Sequence, residues 1–376
     1  MRKIIYRDGL FIDRDDEEKF ILERLEKRSE NILFIYGPKS SGKTNFIEYI
    51  VEEKLSKKRD RFYVNYINFR RYAIVNYSSF LNVYFFPIRE ENKPFLAKMS
   101  DKFKLVFDSL RGEVSLPEEG VNFAISLNLF EAMERNDLDQ FKVIFEVLKK
   151  IKSTGRVPVL IIDEVQELKD IYMNGDIKKR YLLTEFFKFL VSLTKETHLA
   201  HIIVLTSSSL FIDEIYNNSN LAQTSEFFLF DHFNYEVIRE WLEDEGFSLE
   251  EIDLVWEYLG GCPFNILNLL SNRDILPNFE LKSYLHREAM LMRGKIDFTM
   301  VDLDKEERQD YFIELMKTII ENGFALRNSK NKLQTEVLNV VIDKDILFVR
   351  AETGEIIFNS QIMKKGAELY LNQIKR

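Results

Sequence analysis

The chain has 376 residues, too many for one ordinary hydrophobic core, so its length predicts two or three domains. Apolar residues make up 45% and charged residues 31%, which excludes a chain disordered throughout. No apolar run approaches the ~18 residues that a membrane helix needs. Fifty-three basic against 62 acidic residues give a net charge of −9, so a uniformly basic nucleic-acid coat is excluded and any basic patch must be local.

The first twenty residues reach acids too early for a secretory signal peptide, and the single cysteine, Cys262, has no internal disulfide partner. Both features predict a reducing, cytoplasmic setting with no membrane association. The wealth of Lys and Glu leans toward a thermophilic source.

In chain order, short apolar runs alternate with amphipathic stretches from about residue 30 to 230. The runs 32–36, 62–64, 157–162, 202–205 and 227–230 read as buried strands of a parallel sheet. Helical periodicity between them, at 46–55 and 181–193, predicts an α/β sheet with helices on both faces. The connection from 68 to 156 reads as an insertion with its own elements at 103–110, 122–129 and 138–151. Its aromatic residues Tyr77, Phe80, Tyr84, Phe85 and Phe86 are expected to pack against the sheet.

After 231 the strand signal stops, and 235–246, 249–259 and 263–270 read as short helices, the last with Pro263 at its first position. Helical runs at 311–321 and 333–341 then precede two apolar segments, 347–350 and 355–358, around Gly354. Helices followed by such a hairpin predict a winged helix. The expected division is a core over 1–231 with the insertion at about 68–156, a helical lid over 232–300 and a winged-helix domain over 301–376.

The sharpest motif is Gly37-Pro38-Lys39-Ser40-Ser41-Gly42-Lys43-Thr44, which matches G-x-x-x-x-G-K-[ST] between an apolar strand and a helix. Gly37 and Gly42 let the backbone curl so that its N–H groups face a phosphate. The positive end of the following helix adds to that field. Lys43 is expected to reach the β- and γ-phosphates and the Thr44 hydroxyl to ligate Mg²⁺. A second motif is the strand end Ile161-Ile162-Asp163-Glu164. Asp163 suits the Mg²⁺ shell, and Glu164 suits a carboxylate that polarises an attacking water. At the end of the strand near 205, Thr206 or Ser207 could hold that water or sense the γ-phosphate; serines there could equally cap the next helix.

These pieces, in order, resemble the archaeal ATPase family, a branch of the STAND class of AAA+-like P-loop NTPases. Phe11-Ile12-Asp13-Arg14-Asp15-Asp16-Glu17 is similar to its F-x-x-R-x-x-E element, 159–168 to its acidic strand, and 205–210 to its sensor segment. Gly260-Gly261-Cys262-Pro263 is similar to its G-G-x-P element, which the resemblance places in the helical lid near the nucleotide. The resemblance spans about 8–370 and implies an AAA+-like core, a helical lid and a winged helix, with ATP and Mg²⁺ as cofactors. Under it, Arg14 could stack near the adenine, or form an ion pair with Glu17 or Glu18, and Pro263 would lie at the nucleotide.

One departure concerns hydrolysis. Family members often carry an arginine after the sensor strand, yet 211–230 contains neither Arg nor Lys. Slow turnover is therefore expected, or an arginine supplied in trans, for which Arg180 is a weak candidate. The guanine-reading N-K-x-D pattern is also missing, since Asn92-Lys93-Pro94 is followed by Phe95. The histidines have no metal-ligand spacing, and Cys262 has no histidine near it in sequence.

The reading that results is a slow, Mg-dependent ATPase acting as a nucleotide-dependent regulatory switch on a protein partner. An initiator-like DNA-binding ATPase using the winged helix is the alternative, with Arg327, Lys330 and Lys332, and Lys364 with Lys365, as its local basic clusters. From 305 to 376 basic residues number twelve and acidic residues eleven, so charge does not demand DNA there. A P-loop phosphotransferase is disfavoured, because a water-activating acid would waste ATP. The oligomeric state is left open.

Overall fold

The computed structural model describes residues 3–6, 9–12, 14–77, 79–80, 83, 140–172, 181–217, 219–328 and 330–374. The backbone divides into two compact units. The first comprises Met1–Glu26, Leu33–Ile50 and Leu205–Arg376, and the second Lys27–Ile32 and Val51–Val204. The expected elements at 103–110 and 122–129, residues Tyr84, Phe85 and Phe86, and Arg180 lie outside the described residues.

In chain order, the antiparallel hairpin β1 (Lys3–Tyr6) and β2 (Gly9–Ile12) precedes α1 (Asp15–Leu25), β3 (Ile32–Tyr36) and α2 (Lys43–Tyr49). The helix continues as a wider turn over Ile50–Leu55. Next come β4 (Phe62–Asn68), α3 (Gln140–Ser153), β5 (Val157–Asp163), α4 (Leu182–Val191), β6 (His201–Thr206), α5 (Ser209–Asn217) and β7 (Ser225–Leu229).

In the second unit the sheet order is β4, β5 and the start of β6; in the first, the end of β6, then β3 and β7. β4 and β5 run parallel, Phe62 opposite Val157 and Asn68 opposite Asp163. β3 and β6 are buried at every residue, and β5 at all but its first, which is why they read as unbroken apolar runs. β4 runs four residues beyond its apolar start at 62–64. Its buried Asn65 and Asn68 interrupt the hydrophobic signal without interrupting the strand. Tyr77 and Phe80 are fully buried; Phe80 meets Phe69, just after β4, at 5.9 Å and Phe186 of α4 edge-on at 5.5 Å.

The first unit continues with α6 (Tyr235–Asp244), α7 (Leu249–Leu259) and α8 (Pro263–Ile275), close to expectation, although α8 outruns its predicted end by five residues. α7 starts with a reciprocal Ser248–Glu251 capping box. The 22-residue α9 (Leu281–Asp302) has no counterpart in the sequence reading. Its first half packs Leu285 and Ala289 into the core of α6–α8, and its second half packs Ile296 and Met300 into the next core. A helix serving two cores buries different faces along its length, so no single apolar stripe marks it.

α10 (Glu306–Asn322), β8 (Ala325–Leu326), α11 (Lys332–Asp343), β9 (Leu347–Val349) and β10 (Glu355–Phe358) form the winged helix, with sheet order β8, β10, β9. β9 and β10 are the expected hairpin; the two-residue β8 is too short to leave a sequence signal. α12 (Gln361–Ile374) closes the chain against α9. Gly366 permits that crossing, since a Cβ there would meet Met292 Cβ at 2.6 Å and Arg293 N at 2.8 Å. Lid and winged helix thus share α9 and α12 as common struts.

Candidate nucleotide site

The phosphate loop leaves the buried end of β3 and enters α2. Gly42, the residue before α2, sits at φ 94°, open to glycine at no steric cost, and Ser40 at φ 63° completes the curl. Gly37 is fixed by packing: a Cβ there would lie 2.1 Å from the Phe230 carbonyl oxygen. Lys43 is buried and turns back on the loop, donating to the carbonyls of Gly37 at 3.0 Å and Pro38 at 2.9 Å and to Ser41 Oγ at 3.3 Å. An ammonium held by carbonyl oxygens, beside backbone wound by Gly42 and Ser40, fits an incoming phosphate that would take over those hydrogen bonds. Thr44 is the second residue of α2.

Arg14 caps the loop from behind. Its guanidinium lies between the rings of Phe230 and Phe233, 4.1 Å from each centroid. One arm donates to the Ser41 carbonyl at 3.1 Å and the Asp231 carbonyl at 2.9 Å, the other to Glu17 at 2.7 Å. Of the two uses open to it from sequence, the ion pair with Glu17 is formed. The same fork also ties the loop to the chain leaving β7, which no local pattern announces.

The Gly260–Pro263 turn reaches the loop from the lid. Pro263 Cγ lies 4.0 Å from the position a Gly42 Cβ would take, and Cys262 Sγ lies 3.8 Å from the Ser40 carbonyl oxygen. Burial pushes the Cys262 thiol up, which suits a packed thiol. Gly261 accepts from Phe233 N at 3.0 Å, and a Cβ on Gly261 would lie only 1.7 Å from the Phe233 carbonyl oxygen. Gly261→Ala is therefore expected to cost about 3 kcal/mol and to lower the thermal midpoint by several degrees, read by calorimetry. An unchanged midpoint would show that this approach is looser than the geometry requires.

Thr206 ends β6 fully buried, its Oγ1 accepting from Ser208 N at 3.0 Å, and Ser207 beside it is half-buried. The capping role falls to Ser208, whose Oγ accepts from Phe211 N at 3.2 Å. Ser209 Oγ accepts from Val349 N of the wing at 3.3 Å.

The wing makes further contacts on this unit. The Tyr36 hydroxyl, at the end of β3, donates to the Glu352 carboxylate and accepts from Ala351 N at 3.3 Å, while its ring stacks on Phe348 at 6.0 Å. Arg350 pairs with Asp231 at 3.0 Å. On the loop itself, Lys39 pairs with Asp345 at 2.5 Å and its N–H donates to Asn359 at 3.2 Å. The Lys39 carbonyl accepts from His232 Nε2 at 3.3 Å, and burial pushes His232 down to about 4, leaving the ring neutral near pH 7. Winged-helix groups thus hold both the strand that feeds the phosphate loop and the loop's own lysine. Sequence reasoning missed Tyr36, Asp345, Glu352 and Asn359, whose partners are about 300 residues away.

In the second unit, Asp163 ends β5 almost fully buried and accepts from Asn68 Nδ2 at 3.0 Å, with the Tyr66 hydroxyl at 3.5 Å. Glu164 follows at φ 59°, a left-handed conformation unusual for its residue type, and is also buried. Its carboxylate pairs with Arg70 at 2.8 Å and accepts from Gln166 Nε2. Arg70 is itself more than half exposed, so the pair that holds this buried carboxylate borders on solvent.

Residues 11–269 match the family model for an ATPase domain predominantly from Archaea. An uncharacterized ATP-binding protein of Methanocaldococcus jannaschii is 30% identical over 97% of this chain and 98% of its own length. A second from the same organism is 34% identical over 92% of this chain and 93% of its own, and one from Pyrococcus abyssi is 30% identical over 98% of each. Among solved structures, the Aeropyrum pernix ORC2 protein in its ADP form aligns over 96% of this chain and 92% of its own with 12% identity and a TM-score of 0.42. The ORC1 protein of that organism in complex with DNA aligns over 97% and 94% with 11% identity and a TM-score of 0.39. The match over residues 11–269 takes in the phosphate loop, the acidic strand end and the Gly260–Pro263 turn, and the chain belongs to this predominantly archaeal ATPase family.

Proposed function

We propose that the chain binds MgATP through the phosphate loop, hydrolyses it slowly, and uses the bound state to set the position of its winged helix for a protein partner. The observation that carries this reading is the grip of the winged helix on the phosphate loop, through Lys39–Asp345, Lys39–Asn359 and Tyr36–Glu352. Lys43 binds the phosphates once drawn off the Gly37 and Pro38 carbonyls, and Lys39 sits next to Pro38, so rewinding the loop works directly against the Asp345 contact. Arg14 acts as a positioning residue behind the loop, and Pro263 with the lid lies over it.

Thr44 and Asp163 are the residues that would hold Mg²⁺, which when bound neutralises charge building on the phosphates. Asn68 orients Asp163 for that role. Glu164 leaves Arg70 to take a proton from the attacking water, with Thr206 or Ser207 placing that water. The 211–230 segment brings no basic residue to the leaving phosphate, which supports slow turnover.

The DNA-binding alternative through the winged helix meets an obstacle in the same contacts. Arg350, Glu352 and the Val349 N–H of the wing are engaged within their own unit. A duplex could use that wing only after its release.

Hydrogen exchange tests the switch. Exchange across 347–358 is expected to rise about tenfold with a non-hydrolysable ATP analogue and to fall back with ADP, because the wing's anchoring contacts open in one state only. Equal exchange in both states would overturn the switch reading while leaving ATP binding intact.

A further inference from the structure

The second unit carries a feature that the nucleotide chemistry does not use. Four strands start from connecting loops of this unit that, together with the helix ends leading into them, are rich in cations: 27–31 before β3, 56–61 before β4, 149–156 before β5 and 195–200 before β6. These loops hold eleven Lys and Arg against three Asp and Glu, in a chain whose net charge is −9.

Printed side by side in sequence the loops are unrelated, but specific contacts place them in one row. Val157 N donates to the Arg61 carbonyl at 2.7 Å, joining the second loop to the third. Lys152 Nζ donates to the His198 carbonyl, joining the third to the fourth. Ser29 Oγ donates to the Ala200 carbonyl at 2.6 Å, and His198 Nδ1 lies 2.6 Å from the Ser29 carbonyl, joining the fourth to the first. Lys27, Arg28, Lys58, Arg59, Lys149, Lys150 and Lys195 are exposed, and among the described residues none of them has a carboxylate within 4 Å.

We propose that this row of strand starts is a docking surface for the phosphate backbone of duplex DNA, bound without regard to sequence. Unpaired, exposed Lys and Arg are the groups that contact phosphates, and Ser153, Thr154 and Thr197 add exposed hydroxyls between them. Four strand starts spaced about 4.8 Å apart give a row of roughly 14 Å before side-chain reach is added, enough to track several phosphates of one backbone. No Phe, Tyr or Trp lies in the four loops and the one ring there, His198, is held against the Ser29 carbonyl, so there is no extended platform on which single-stranded bases could stack. The loops also present no exposed apolar residue of the kind that anchors a protein in a membrane interface. β5 is seven residues long, so the row lies about 20 Å from Asp163 at its far end and does not cover that acid.

The test is fluorescence anisotropy with a labelled 30-base-pair duplex of arbitrary sequence and the full chain. With four or five phosphates engaged, affinity is expected to fall at least about a hundredfold between 50 and 200 mM salt. The quadruple variant Lys58→Glu, Arg59→Glu, Lys149→Glu, Lys150→Glu should weaken binding at least thirtyfold and flatten the salt dependence, with its thermal midpoint unchanged because all four side chains are exposed. Lys330→Glu with Lys332→Glu, on the winged helix, should leave affinity unchanged. The proposal is overturned if the wild-type chain fails to bind duplex at 50 mM salt, if the quadruple variant binds as wild type, or if the winged-helix variant alone abolishes binding. Equal or tighter binding to single-stranded DNA, to duplex RNA or to phosphatidylserine vesicles would overturn it as well.

Discussion

Replacing Glu164 with glutamine should lower steady-state phosphate release from ATP at least ~100-fold while leaving ATP affinity within about threefold. The amide keeps the size and one acceptor oxygen of the carboxylate but cannot take a proton from water. Glu164 sits buried in a left-handed backbone position beside Arg70 and Gln166, an environment that orients a carboxylate rather than solvating it. Glutamine can still hydrogen-bond Gln166 and loses only the charge pairing with a half-exposed arginine, so the fold should survive. Phosphate release and equilibrium nucleotide binding, measured on the same preparation, check the prediction. Equal rates in both proteins would remove Glu164 from the reaction, and loss of binding would assign it to the nucleotide site instead.

Lys43→Ala is expected to raise the dissociation constants of both ATP and ADP at least ~100-fold, from loss of charge-assisted hydrogen bonds to phosphate worth together about 3 kcal/mol. The ammonium already lies inside the loop, on the Gly37 and Pro38 carbonyls, so little side-chain movement separates it from a bound phosphate. Alanine removes that cation but leaves Gly42 and Ser40 free to hold the loop curled. Titration with each nucleotide, alongside the melting of the nucleotide-free protein, separates the two effects. If ADP still binds normally while ATP does not, Lys43 reads only the terminal phosphate, and the seat assigned to the β-phosphate must move.

The two substitutions dissect different halves of the chemistry. Lys43 belongs to the unit that also holds the lid and winged helix, whereas Glu164 belongs to the unit that carries the basic strand starts. A chain that binds nucleotide but does not turn it over should be locked in the ATP state. In that state the proposed loosening of 347–358 should persist, which makes the Glu164 variant a natural substrate for the exchange experiment.

Local chemistry made several features legible before any tertiary contact was known. The apolar runs 32–36, 157–162 and 202–205 are legible because the strands that contain them are buried on both faces along nearly all their length. The phosphate loop is legible because its function demands glycine and a lysine at fixed spacing along one short segment. The hairpin at 347–358 shows through its turn and paired apolar segments.

Features built from distant partners left no such mark. α9 divides its buried face between two cores, and β4 carries buried Asn65 and Asn68 where a strand pattern expects apolar residues. From sequence Arg14 is open to stacking near the adenine or to an ion pair with Glu17 or Glu18, and neither shows the packing made by Phe230, Phe233 and two backbone carbonyls more than twenty residues away.

The sequence by itself determined the α/β class, through apolar runs alternating with amphipathic stretches, and the phosphate loop and the acidic strand end, each of which depends on residues within one short stretch of chain. The Gly260–Pro263 turn was legible only through the family resemblance. Only the tertiary structure decided that Asp345, Asn359 and Glu352 hold the nucleotide loop and its strand, and that four separate loops align into one basic row. Those arrangements are set by which strands and helices lie side by side, and hydrogen bonds and ion pairs between residues far apart in the chain leave no periodicity behind.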